Sequence, residues 1–273
     1  MPADKNAYKK SSFGPAFFFL NRRRREALSH YYEFCRRMDD IADEPDMPCP
    51  AKELDFWQEE ISCIYAQAPQ TDLGKRLFAD ITEFDIPKDR FTMLIAGMRD
   101  DMRGRTYSTF NELDEYIYRV AVIVGLATLD ILGVKGADAD ALSNELGGAV
   151  QLTNIIRDVP DDAALGRVYL PDELLARHGL TRQDVLGGRN AEQLARALAE
   201  AAEKARHLYA RAFERMKVFP RLKMLPCSVM GYVYFANLAK IRKTGFHFIH
   251  PVKLTKLEKL QGVLYAVFKT VFR

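Results

Sequence analysis

The stretch Gln151-Leu152-Thr153-Asn154-Ile155-Ile156-Arg157-Asp158-Val159-Pro160-Asp161-Asp162 carries most of what the chain says about itself. Asn154, Asp158 and Asp162 stand four residues apart, so on a helix their side chains share one face. Leu146, Val150, Leu152, Ile155 and Ile156 make the same helix apolar, a setting in which an unpaired acid is costly. Oxygen donors aligned there ask for a cation, and Arg157 stands beside them as a fixed-charge phosphate binder. Pro160 removes an N–H and meets the carbonyl of Ile156, so a kink is expected and the register of Asp162 is left open.

A second acidic stretch lies upstream, Cys35-Arg36-Arg37-Met38-Asp39-Asp40-Ile41-Ala42-Asp43. At about 100° per residue, Tyr32, Arg36, Asp39, Asp40 and Asp43 fall within one band of the helix. Leu28, Tyr31, Cys35, Met38 and Ala42 form the apolar stripe on the other side. Three carboxylates on one face repel each other unless a cation lies between them. Mg²⁺ suits them, because it takes hard oxygen ligands and bridges carboxylates to phosphates. One such cluster alone is more simply a solvated acidic face. Two of them, facing each other across a cavity, would hold Mg²⁺ ions and a diphosphate.

Outward from these stretches, nearly every segment reads as helix. The pattern predicts helices over 24–43, 51–67, 73–84, 87–101, 109–132, 138–159, 189–219, 225–243 and 256–272. Pro45, Pro48 and Pro50 stop the first of these. Strand-type alternation is nearly absent, and no glycine-rich phosphate loop follows a strand. The expected fold is all-α: one domain over residues 1–273, a bundle of roughly eight to ten helices around a central apolar cavity. The 273 residues are 48% hydrophobic and 28% charged, a globular balance with no linker or repeat to divide it.

Charge is unevenly spread. From Lys204 to Arg273 there are 15 Lys or Arg against two acids, Glu214 and Glu258. This basic third suits anionic head groups or diphosphates, with a solvated basic face as the plainer reading, and nothing suggests nucleic acid. In the tail, Leu254, Leu257, Leu260, Leu264, Val267, Phe268 and Val271 form one stripe. A core-packing helix is the expectation there; the alternative is an interfacial helix on an anionic membrane. Cys35, Cys49, Cys63 and Cys227 form no CxxC pair and are read as reduced, mostly buried thiols. Residues 1–10 lack the apolar stretch of a secretory signal, and Phe13–Leu20 is far short of the roughly 20 residues a spanning helix needs. A cytoplasmic protein, at most peripheral at a membrane, is expected.

Four blocks in order resemble the squalene and phytoene synthases: Ser11-Ser12-Phe13, CRRMDDIADE (35–44), RTYSTFNELDEYIYRVAVIVG (105–125) and QLTNIIRDVPDDAALGRVYLP (151–171). The resemblance spans about residues 11–256. It implies the isoprenoid-synthase fold and Mg²⁺-dependent head-to-head joining of two prenyl diphosphates. By position, Asp39, Asp40, Asp43, Asp158 and Asp162 resemble the catalytic, metal-binding aspartates, with Asn154 a further contact to metal and diphosphate. Ser11, Arg36, Arg157 and Tyr234 resemble substrate or diphosphate contacts, Phe13 and Phe17 an apolar flap and wall, and Tyr118 a cavity tyrosine. Arg167 and Tyr169 belong to the loop over the second motif. Where the family carries a phosphate-binding Arg near the C-terminus, this chain offers Lys253 or His250, neither with the bidentate fork of a guanidinium. Phe17, Tyr32 and Tyr118 could stabilise a carbocation, or simply be core.

Three functions compete. The first is the head-to-head synthase, read as acting on C15 substrates in preference to C20. The second is a head-to-tail synthase or terpene cyclase, against which the GRVYLP block and the Ser-Ser-Phe start argue. The third is a non-catalytic relative acting as an assembly or scaffold protein, which would be expected to have lost its acids. NADPH use is not indicated by any dinucleotide fingerprint, although reductive members of the family lack one too.

Overall fold

The computed structural model describes residues 19–44 and 47–272, so Ser11, Phe13 and Phe17 lie outside the described residues. Among those described, every regular element is a helix. Helix α1 (Arg22–Asp43) opens with Asn21, whose side chain accepts the Arg24 N–H, and ends in the extended Glu44. Its buried stripe includes Tyr31, Phe34 and Met38. Phe34 meets Trp57 of α2 (Pro50–Tyr65) edge-on at 5.9 Å. It also meets Phe91 of α4 (Asp89–Met102) at 5.2 Å. Between those two lies α3 (Asp72–Phe84), capped by the Thr71 hydroxyl.

The segment read as one helix over 109–132 is one rod with a widened turn in it. Helix α5 (Phe110–Ile117) passes through a π turn (Tyr118–Val122) into α6 (Ile123–Leu132), with helical backbone at both junctions. Such bulges recur at functional sites, and this one lies against the helix that carries the second acidic stretch. That helix, α7 (Ala137–Ala164), carries the expected kink site, Pro160, inside it and stays helical for four more residues. Near a helix end, proline forfeits only one internal hydrogen bond.

Two contacts lock α7 onto the π turn. The buried Ser143 hydroxyl donates to the Val122 carbonyl at 2.7 Å. Gly147 lets the two backbones touch: a Cβ there would lie 3.0 Å from Val122 Cα and 3.1 Å from Val122 N. Backbone cannot swing aside as a side-chain tip can, so Gly147→Ala should cost about 1–3 kcal/mol of stability, measurable by urea unfolding.

The rest of the bundle backs this pair. Short helices α8 (Asp172–Arg177) and α9 (Arg182–Leu186) follow, too brief to leave a periodic signal. Helix α10 (Ala191–Arg215) lies along α7, with the Thr153 and Tyr209 hydroxyls 3.0 Å apart and buried Glu145 bonded to Arg211 and Arg215. Helix α11 (Arg221–Lys243) starts four residues before the sequence pattern suggests and packs on α7 and α10.

The last helix, α12 (Lys256–Val271), overturns the core-packing expectation. Its buried residues are Gly262, Ala266 and Thr270, while Leu257, Leu260, Leu264 and Phe268 are exposed. Gly262, whose Cβ would lie 3.3 Å from Val233 Cγ2, permits this close seat on α11. The thiols need a correction too: all four are free, but only Cys227 is buried, and Cys49 is exposed. No described helix is long and apolar enough to cross a membrane.

Candidate active site

A cavity of about 460 Å³ lies between α1, α4, the π-turn rod, α7 and α11. Helix α1 contributes Tyr32, Arg36, Asp39 and Asp43, and α7 contributes Asn154, Arg157, Asp158 and Asp162. The two acidic faces therefore meet at one pocket, and Pro160 has not turned Asp162 away. Tyr234 of α11 joins them. The opposite part of the cavity is apolar, with Leu28, Leu94, Met98, Val120 and Val124. An apolar arm of about 110 Å³ continues past Val124 and Thr128 toward Leu142, Leu146 and Met230. The expected apolar cavity is thus apolar at one end and strongly charged at the other.

Burial shapes the acids. Desolvation pushes the Asp39 carboxyl up to about 7, with Arg36 opposing and Asp43 and Asp40 adding repulsion. Desolvation likewise raises Asp162 to about 7, reinforced by Asp158 and opposed by Arg167. Such carboxylates, crowded in one pocket, form a site short of positive charge. Asn154 adds a buried Oδ1 with no hydrogen-bond partner. Arg157 grips Asp158 with two bonds, of 2.7 and 2.5 Å.

Two loop residues after α7 tie the motifs together. Arg167 donates to Asp43 Oδ1 at 2.7 Å, bridging the first acidic face to the end of the second. The Tyr169 hydroxyl donates to Asp101 Oδ1 at 2.8 Å, and the Tyr116 hydroxyl to Asp101 Oδ2 at 3.0 Å. Asp101, at the end of α4, lines the cavity and escaped the sequence reading. Desolvation lifts it to about 6 even with both tyrosines bonded to it. A signal existed: Asp101 extends the buried stripe Leu94–Met98 by one more turn, so an acid occupies an inward position.

Other sequence-derived residues stand apart. Asp40 is not among the lining residues; it pairs with Arg36 at 2.7 Å, about 100° round the helix from Asp39. Tyr118 does not line the cavity either; it opens the π turn. Tyr116, two residues earlier, faces inward instead. Lys253 lines a neighbouring groove of about 210 Å³ that shares Arg157 and Tyr234 with the cavity and also holds Asn237 and Lys259.

The donor set fits Mg²⁺ of a particular kind. Among the described residues no three His, Cys, Asp or Glu form a group able to hold a metal by themselves. Mg²⁺ commonly takes one or two carboxylates and completes its shell with substrate phosphates and water. Carboxylates split across a pocket beside Arg157 and Arg36 suit that arrangement.

An all-helical bundle with acidic faces opposed across a half-apolar pocket defines the class of isoprenoid synthases that work on diphosphates. Comparison with known proteins makes this specific. The squalene/phytoene synthase profile matches residues 7–259, and the chain belongs to that family. It is 37% identical over 265 residues to a presqualene diphosphate synthase of Rhodopseudomonas palustris, covering 94% of this chain and 93% of that one. It is 36% identical over 237 residues to a 15-cis-phytoene synthase of Synechocystis, covering 82% and 70%. Among solved structures, a dehydrosqualene synthase in complex with ligand matches with a TM-score of 0.87 at 26% identity, covering 96% and 93%. The squalene synthase HpnC from Alicyclobacillus acidocaldarius matches at 0.83 and 28%, covering 90% and 92%.

Proposed function

We propose that this chain, read as one domain, joins two prenyl diphosphates head to head with Mg²⁺ as cofactor. The supporting observation is the meeting of Asp39 and Asp43 with Asp158 and Asp162 at one cavity whose far end is apolar. The substrate class is C15, giving a presqualene-type diphosphate, in preference to C20. The match spans 92–93% of the presqualene diphosphate synthases' own length against 60–70% of the phytoene synthases', which favours it.

In this reading Asp39, Asp43, Asn154, Asp158 and Asp162 hold the metal, which would neutralise charge on the departing diphosphate. Arg157, Arg36 and Tyr234 bind and orient the diphosphates. The C–O bond of the first substrate breaks, leaving an allylic cation and diphosphate. The double bond of the second substrate attacks that cation, and loss of a proton closes a cyclopropylcarbinyl diphosphate. The apolar wall and the arm beyond Val124 exclude water that would quench the cation. The rings of Tyr31 and Tyr32 line the same space, placed to face positive charge. Asp40 and Lys253 have smaller parts: Asp40 orients Arg36, and Lys253 adds positive charge beside Arg157, while Tyr118, off the cavity, packs in the π turn.

The test is incubation of the protein with Mg²⁺ and farnesyl or geranylgeranyl diphosphate, with and without NADPH, and identification of products by mass. A cyclopropylcarbinyl C30 diphosphate is the expected product from farnesyl diphosphate. A cyclised or head-to-tail product would place the chain with the other synthases. Absence of any turnover, with no Mg²⁺-dependent melting shift on adding a diphosphate analogue, would make it a non-catalytic relative.

A further inference from the structure

Helix α12 is built inside out for a surface helix. At about 100° per residue, Gly262, Ala266 and Thr270 define the side pressed on α11. Leu257, Leu260, Leu264 and Phe268 lie within about 80° of one another on the opposite side, and all are more than half exposed. Phe272 extends the face, its ring 5.3 Å from that of Phe268. Ordinary surface helices do the reverse, turning the large apolar residues to the core.

This orientation is held at both ends. At the start, Thr255 and Glu258 form a reciprocal cap, and Lys240 of α11 bonds Glu258 at 2.7 Å. At the finish, Arg221 of α11 donates to the Val271 carbonyl at 3.2 Å. Leu222, the next residue of α11, is itself three-quarters exposed and enlarges the apolar area at that end.

Charge names the occupant. Of the 15 basic residues between Lys204 and Arg273, Lys204, Arg206, Arg211, Arg215, Lys217, Lys240 and Arg242 pair with acids, whereas among the described residues Lys253, Lys256, Lys259 and Lys269, on α12 and just before it, have no acid within ion-pair distance. Lys256 and Lys269 flank the apolar face, both exposed. Two copies of this chain docking through such a face would bring like charges together. An apolar stripe edged with lysine suits anionic head groups over an acyl interior. We propose that α12 lies in the interface of an anionic lipid membrane, its Leu257–Phe268 face immersed and its flanking lysines among the head groups. The groove holding Lys253, Leu254 and Lys259 leads from the base of this helix to Arg157 and Tyr234 at the cavity, so docking would set the site next to the lipid surface.

The test is co-sedimentation of the full chain with vesicles of phosphatidylcholine alone and of phosphatidylcholine with about a third phosphatidylglycerol. Wild type should bind the anionic vesicles, and salt should weaken that binding. Leu260→Glu/Leu264→Glu/Phe268→Glu should lower the bound fraction roughly tenfold or more, with turnover on detergent-dispersed substrate unchanged. Lys256→Glu/Lys269→Glu, which spares the apolar face, should lower it on anionic vesicles alone and decides the matter if the triple variant folds poorly. Failure of wild type to bind anionic vesicles overturns the proposal, as does undiminished binding by both variants. A wild-type dimer that the triple variant dissociates, with no vesicle binding, would make the face a contact between copies instead.

Discussion

Asp158→Ala should lower turnover on the order of 10³-fold or more while leaving the bundle folded. Asp158 lines the cavity on α7 and is the carboxylate that Arg157 grips with two bonds. Its loss removes an oxygen donor and lets Arg157 swing from its place toward the diphosphates. Asp39→Ala should be equally inactive, and the two variants differ instructively in stability. Asp39 is pushed up to about 7 by desolvation and by Asp43 and Asp40 nearby, so the metal-free fold works against its charge. Metal-free Asp39→Ala at pH 8 should therefore melt no lower than wild type, whereas Asp158→Ala, which leaves a half-buried guanidinium without its partner, should melt lower. Asp40→Ala is the contrast. Asp40 lies outside the cavity and acts through Arg36, so a loss of about tenfold or less is expected. Mass-resolved product formation under single-turnover conditions, with scanning calorimetry on the same samples, checks all three. Wild-type rates in Asp39→Ala or Asp158→Ala would refute the metal assignment.

Helix periodicity made the bundle readable, because the buried stripes of α1, α7 and α10 repeat at the spacing a helix imposes. The acidic faces were readable for the same reason: Asn154, Asp158 and Asp162 line one cavity as their spacing requires. Three features were not. Pro160 reads as a kink that leaves the register of Asp162 open; its cost falls on the bond to the Ile156 carbonyl, and the helix carries on for four more residues. Asp40 reads as an equal member of its cluster because 100° of rotation cannot say where the pocket's edge falls. The inward position of Asp101 has a signal in the α4 stripe, but its tyrosine partners do not: no local pattern announces a partner 68 residues away. The tail failed differently. Its stripe was found, yet amphipathicity says only that a helix has an apolar face; Gly262 and Ala266, small enough for close contact with α11, decided which face turned inward.

The metal-free protein should be more stable at pH 5.5 than at pH 8, the reverse of what paired surface carboxylates produce. Asp39 and Asp162 are pushed up to about 7 and Asp101 to about 6, all chiefly by desolvation. Unfolded, each would titrate near 3.9. Between about pH 4 and 7 the folded chain thus holds more protons than the unfolded one, and stability falls as pH rises through that window. Glu258, held down to about 2 by Lys240, changes charge below the range and does not mask the effect. The three acids share one pocket and do not contribute independently, so a drop in Tm of about 5–10 °C from pH 5.5 to 8 is expected rather than the sum of three isolated shifts. Asp39→Asn removes one titrating group and should flatten the slope. Mg²⁺ with a non-hydrolysable diphosphate analogue should recover the lost stability at pH 8 and recover little at pH 5.5, where protons already occupy the carboxylates. A Tm that stays level or climbs from pH 5.5 to 8 in chelator would mean that these carboxylates are not desolvated together, and the crowded anionic pocket on which the metal assignment depends would go with it.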